Sequence, residues 1–74
     1  MSEEEKKVMA QYEAIRRSGL TNMFDRYTVM RIASDNDFHD LVVAAHENYG
    51  DILKRYSEVM KSIDEEDIPE TKMK

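Results

Sequence analysis

Residues 37–63 read DFHDLVVAAHENYGDILKRYSEVMKSI, and their apolar positions decide the fold. Val42, Ala45, Tyr49, Ile52, Tyr56, Val59 and Ile63 follow one another at gaps of 3, 4, 3, 4, 3 and 4 residues. Such a series is a heptad seam on one side of an α-helix, and Leu41, Leu53 and Met60 widen it into a stripe. At ~1.5 Å per residue a straight helix over this stretch is ~40 Å long, more than two short helices can cover. Gly50 followed by Asp51 is the weak point, because Gly costs ~1 kcal/mol in a helix interior. The seam keeps its phase across Gly50, which favours one continuous helix over a kink there. Asp37 is the expected N-cap, and Asp40 adds negative charge to the first turn.

Upstream, two shorter helices are expected, over about 3–18 and 26–35, ahead of a third over 38–63. Ser2-x-x-Glu5 has the form of a capping box, and Glu3 and Glu4 suit the positive end of the helix dipole. Val8, Tyr12 and Ile15, with Met9 beside them, recur at helical spacing, leaving Lys6, Lys7, Glu13, Arg16 and Arg17 to the outer faces. Gly19 stands where a helix takes a left-handed terminator, and Leu20 is placed to close back on Ile15 as in a Schellman cap. Asp25 is the expected N-cap of helix two. Phe24 before it and Val29 after it have the spacing of a hydrophobic staple, which puts Phe24 in the core. Asp35-Asn36-Asp37 interrupts the pattern, since these side chains compete for local backbone groups and Asn36 tolerates a left-handed conformation. From Asp64 to Lys74 the periodicity is lost, and an acidic, disordered tail is expected after a single domain of residues 1–63.

The chain has 74 residues, 41% of them hydrophobic, with 11 Lys plus Arg against 16 Asp plus Glu, a formal charge of −5 and no Cys. Without cysteine there is no disulfide framework and no thiolate metal cluster, so a reducing cytoplasm is the expected compartment. No apolar run reaches the ~18–20 residues of a membrane span, and no membrane partner is expected. A core this small rarely leaves more than ~3–5 kcal/mol after ordering entropy, so association is the expected further stabiliser, most simply as a twofold homodimer. Tyr49, Ile52, Leu53, Tyr56, Val59, Met60 and Ile63 are the candidate self-association residues.

Candidate chemistry is sparse. His39 and His46 lie seven apart with acids nearby, but no second His completes H-E-x-x-H, and exposed polar residues are the simpler reading. Asp35-Asn36-Asp37 begins like a calcium loop but has Asp40 where Gly is required and His46 where Glu is required. Neither Gly lies in a phosphate-binding loop. No catalytic, metal or cofactor site is expected, and no enzyme activity. A helix-turn-helix reading founders on residues 35–51, which carry five acids and no Lys or Arg and would meet closely spaced phosphates. Arg16, Arg17, Arg26 and Arg31 flank the first turn instead, and with Thr21 and Asn22 they form a candidate recognition surface, although each also has a structural reading. Acidic mimicry of a nucleic acid and base stacking on Tyr49 and Tyr56 both have plainer alternatives: a solvated face and a packed seam. Six Met residues suit either an adaptable contact surface or gap filling in a small core.

Ile15-Arg-Arg-Ser-Gly-Leu-Thr-Asn-Met-Phe-Asp25, then Val29-Met-Arg-Ile-Ala33 and Phe38-His-Asp-Leu-Val42, resemble a family of short phage, prophage and microbial proteins that form a domain of unknown function. The resemblance spans roughly residues 12–56, and Gly19-Leu-Thr-Asn-Met-Phe-Asp25 is its most specific part. Asp37 departs from that pattern, which has Gly before the aromatic, and the C-terminal extension is longer and more polar. The resemblance implies an accessory or mobile-element context and no particular reaction. The residues together predict an all-α, self-associating three-helix domain, a non-enzymatic interaction or regulatory module with a protein partner. The alternative is a small helix-turn-helix-like DNA-binding regulator using the arginines around the turn.

Overall fold

The computed structural model describes residues 3–19 and 21–71. Three helices form it, α1 Glu3–Ser18, α2 Arg26–Asp35 and α3 His39–Met60, followed by one 3-10 turn at Glu65–Asp67. The described residues are helical or irregular with no strand, and α3 packs on both other helices, chiefly on α1.

Glu3, Glu4 and Glu5 open α1, and Arg16 and Arg17 close it, each set complementing the helix dipole. Ser2 of the expected capping box and Leu20 of the expected closing contact lie outside the described residues. Gly19 takes the left-handed conformation at φ 67°, and its N–H reaches the Arg16 carbonyl at 3.3 Å. A residue without Cβ enters that region at no steric cost.

α1 is covered along its middle. Met9, Ala10, Tyr12, Glu13, Ala14 and Ile15 are buried and Gln11 among them is half-buried, so at ~3.6 residues per turn little of this segment is left as a solvent face. Part of the cover comes from beyond α3. Ser62, Ile63 and Asp64 line a cleft with Lys6 and Lys7, and Ile68 and Pro69 line another with Ala14 and Ser18. Asp64–Thr71 therefore lies along α1 where a disordered tail was expected; the positions beyond it fall outside the described residues. Two local features that periodicity does not register hold this stretch: Ile68 packs on the core, and Arg17 grips Glu65 with two bonds of 2.7 Å.

The α2–α3 connection corrects the expected cap at Asp37. Phe38 N–H bonds to the Ala33 carbonyl at 2.8 Å and Asp37 N–H to that of Ser34 at 3.1 Å. This crossed pair is a Schellman motif, with Asp37 as the left-handed residue at φ 60°. Asp37 thus ends α2 and does not start α3, in the role Gly usually plays. Phe38 follows it and is buried at 7% exposure, closing the motif against the core. The start of α3 is served from another helix: the Gln11 side chain accepts the Leu41 N–H at 2.9 Å.

α3 is not a straight rod, and it ends at Met60, short of Ile63. Asn48 departs from helical geometry at φ −162°, ψ 83°, two residues before the glycine marked in the sequence as the weak point. Its side-chain oxygen accepts the Asp51 N–H at 3.1 Å, so Asn48 caps the second segment as an N-cap residue does. Gly50 then falls in the first turn of a new segment and not in a helix interior. Leu41 and Ala45 before the break and Ile52 and Val59 after it are all buried, so one copy of the chain covers the apolar ridge on both sides.

Candidate functional site

Two places concentrate side-chain chemistry, one inside and one outside. Inside, Glu13 is only 1% exposed. The Arg16 guanidinium donates to both its oxygens, Nε to Oε1 at 2.6 Å and Nη2 to Oε2 at 2.7 Å. Arg17 Nε adds a bond to Oε2 at 2.7 Å, and the Tyr56 hydroxyl donates to Oε1. Arg16 above all holds this carboxyl at about 2, well under its usual 4.5, against the opposing effect of burial. The rings around it interlock, Tyr12 meeting Tyr56 edge-on at 5.5 Å and Tyr49 at 6.1 Å between centroids. Burial pushes the phenols of Tyr12, Tyr49 and Tyr56 up. A carboxylate this acidic and this fully bonded is a poor proton acceptor at neutral pH, so the cluster is a clasp joining α1 to α3 and offers no general base. The reading of Glu13 as an outer-face residue is corrected here. The signal was present in Glu13-x-x-Arg16-Arg17, whose i+3 and i+4 spacing lets both arginines reach back along the helix.

Outside, the turn between α1 and α2 is tightly tied. Asp25 N–H bonds to the Asn22 carbonyl at 2.9 Å, and Phe24 N–H bonds to the Asn22 side-chain oxygen at 2.9 Å. Asp25 caps α2 as expected, accepting from Thr28 N–H at 3.3 Å and from its hydroxyl at 2.7 Å, and these bonds lower its carboxyl. From α3, the Tyr49 hydroxyl donates to the Met23 carbonyl. Met23 packs on the core, taking the place expected for Phe24. In a turn this tight, neighbouring side chains point apart, and Phe24 is left 78% exposed with no staple to Val29. Tyr27 beside it is 74% exposed, and the Arg26 guanidinium lies over its ring at 4.8 Å. Arg31, one turn along α2 from Tyr27, is also exposed.

The structure divides the candidate residues accordingly. Of the self-association set, Tyr49, Ile52 and Val59 are in the core of the single chain, while Leu53, Tyr56, Met60 and Ile63 are half-buried against it. Of the recognition set, Arg16 and Arg17 are engaged with Glu13 and Glu65, Asn22 holds the turn, and Thr21 is half-buried. Met9 is buried, and Met23, Met30 and Met60 pack on the core, so these four fill gaps. His39 and His46 are both exposed. Among the described residues, no group of three or more His, Cys, Asp or Glu is placed to hold a metal ion, and no helix is long and apolar enough to cross a membrane.

The fold and the site define a small all-helical domain with a polar clasp inside and exposed aromatics at its first turn. The chain belongs to the DUF5049 family, a domain of unknown function, whose model matches residues 4–54. That span takes in α1, both connections, α2 and α3 past its break at Asn48. No curated protein and no solved structure matches the chain.

Proposed function

We propose that this chain is a non-enzymatic protein-interaction module of accessory or mobile-element type, acting in the cytoplasm, and that it docks a protein partner through Phe24 and Tyr27. The observation that carries this reading is the exposure of both rings, 78% and 74%, at a turn and helix start whose backbone is pinned from three directions. Neither ring contributes to the core, so neither needs to be aromatic for folding. Large aromatics and Arg dominate the energetics of protein interfaces, and a turn already held in place loses little further entropy on docking. Arg26 stacked on Tyr27, with Arg31 beyond it, adds cationic contacts suited to carboxylates on the partner. A second copy of the chain is one such partner; for it the half-buried Leu53, Tyr56, Met60 and Ile63 are the remaining contact residues from the expected set.

The test compares the wild type with a Phe24→Ala/Tyr27→Ala variant of verified helicity, both used as bait in cells carrying this chain. One protein retained in stoichiometric amount by the wild type and lost by the variant is the expected result. Retention by both sinks the reading. The DNA-binding alternative is tested on the same preparations: affinity for duplex that falls steeply with salt, and vanishes when Arg16, Arg17, Arg26 and Arg31 become Ala, would replace the proposal.

A further inference from the structure

A second feature lies within α3 and does not depend on the Phe24 turn. Inside His39–Met60 one residue, Asn48, departs from helical φ and ψ, and the chain is helical on both sides of it. Yet the apolar gaps run unbroken past it: Val42, Ala45, Tyr49, Ile52, Tyr56 and Val59 keep the 3, 4, 3, 4, 3 order of a single helix face. A break that only had to bend the helix would place no such demand on phase. The chain beyond the break also docks on α1 through its own set of contacts. Tyr56 packs on Tyr12 and donates to Glu13, Ile68 joins the core, and Glu65 takes the Arg17 guanidinium in two bonds of 2.7 Å.

We propose that the chain exchanges this segment with a second copy: Asn48 turns helical, α3 runs straight, and residues 52–71 of each copy dock on α1 of the other. Continued at ~1.5 Å per residue, the 22 residues of α3 reach ~33 Å, beyond the 31 Å longest extent of the closed chain. The straight helix therefore projects past the body of its own chain, carrying its second half away from its own α1. The Tyr12–Tyr56, Glu13–Tyr56 and Arg17–Glu65 contacts are then remade between copies, and the apolar ridge is covered again. Exchange of an identical element is a low-cost route to a twofold dimer, since only the hinge differs between the two forms. Two local effects oppose each other at that hinge. Asn48 favours the closed chain by accepting the Asp51 N–H at 3.1 Å as a cap. A continuous helix regains the backbone bonds that a helix end leaves open.

The full chain, refolded from urea at millimolar concentration and sized by light scattering, provides the test. The wild type should yield a dimer fraction that persists on dilution, since release requires the docked segment to open. In dimers made from a half-labelled mixture of chains, NOEs between the rings of Tyr12 and Tyr56 should pass from one copy to the other. Asn48→Ala removes the cap and favours a continuous helix; with two hinges in each dimer, a gain of about tenfold per chain becomes about a hundredfold in the association constant. Asn48→Asp keeps a capping acceptor at that position and should stay within about threefold of the wild type. A wild type that stays monomeric at millimolar concentration overturns the proposal. A dimer whose Tyr12–Tyr56 NOEs remain within each copy is a face-to-face pair and overturns it too, as does equal association by Asn48→Ala and Asn48→Asp. The wild type carries the NOE test unaided, so poor folding of a variant does not shield the proposal. None of these readouts depends on Phe24 or Tyr27, so failure here leaves the turn's proposed role standing.

Discussion

Glu13 and Phe24 lie eleven positions apart and exchange the places their chemistry suggests: the carboxylate is 1% exposed, the phenyl ring 78%. Position in the fold decides both. Glu13 is on the part of α1 that is covered on most sides, and a charged side chain persists there because two arginines and a tyrosine supply its bonds. Phe24 is on a turn whose inward position is already held by Met23. An ionised group without partners would be driven out of such an interior, whereas a bare ring on the surface costs only its unfavourable hydration. The buried polar group is therefore explained by structure alone. The exposed apolar one is not, and it is the better pointer to function.

The largest expected effect sharpens this contrast with the chain's other phenylalanine. Phe38→Ala should lose about 3–5 kcal/mol, enough to unfold most of a domain this size, because Phe38 fills the core just past the α2 terminator. Urea melts followed by circular dichroism measure it; a loss under 1 kcal/mol would mean the core does not depend on this ring. Glu13→Gln comes next, at about 2 kcal/mol at pH 7, since charge-assisted bonds to both arginines become neutral ones.

Acid provides an independent reading of the same clasp. The Glu13 carboxyl titrates at about 2 when folded against 4.5 when free, so its stabilisation is fully present above pH ~4.5 and is lost as pH falls through about 2. That change amounts to about 3 kcal/mol between the two limits, and the acid limb of the stability curve should be correspondingly shallower in Glu13→Gln. Identical acid limbs for the two proteins would break the clasp.

A smaller effect, of opposite sign, is expected from Asp37→Gly. Gly at φ 60° removes the steric penalty of a left-handed residue, for a gain of about 0.5–1 kcal/mol in the same melts. Destabilisation instead would show that the Asp37 side chain contributes more than its backbone costs. The smallest effect belongs to the exposed rings: Phe24→Ala/Tyr27→Ala should stay within about 0.5 kcal/mol of wild type. A loss of 2 kcal/mol or more would return these rings to the core and remove the contrast.

How much of this was legible can be judged residue by residue. Gly19 as terminator and Asp25 as cap were readable because each acts on backbone groups within a few residues of itself. Asp37 was misplaced as a start signal because Asp serves at both kinds of helix end, and only the crossed bonds from Phe38 and Asp37 to α2 distinguish them. The break in α3 was foreseen as the alternative at Gly50, but a short polar side chain with a free amide to accept, Asn48, proved the stronger local cause. Phe24 was assigned inward from the spacing of a staple to Val29, and Met23 packs on the core in its place.

The order, type and approximate bounds of the helices were written in the chain itself, since apolar spacing and capping side chains act over one or two turns. How completely α1 is covered is a tertiary outcome, because it depends on α3 breaking at Asn48 and on Ile68 and Glu65 returning to α1. From that arrangement follow the burial of Glu13 and the exposure of Phe24. Each depends on which surfaces are already occupied, and occupancy is a property of the assembled chain.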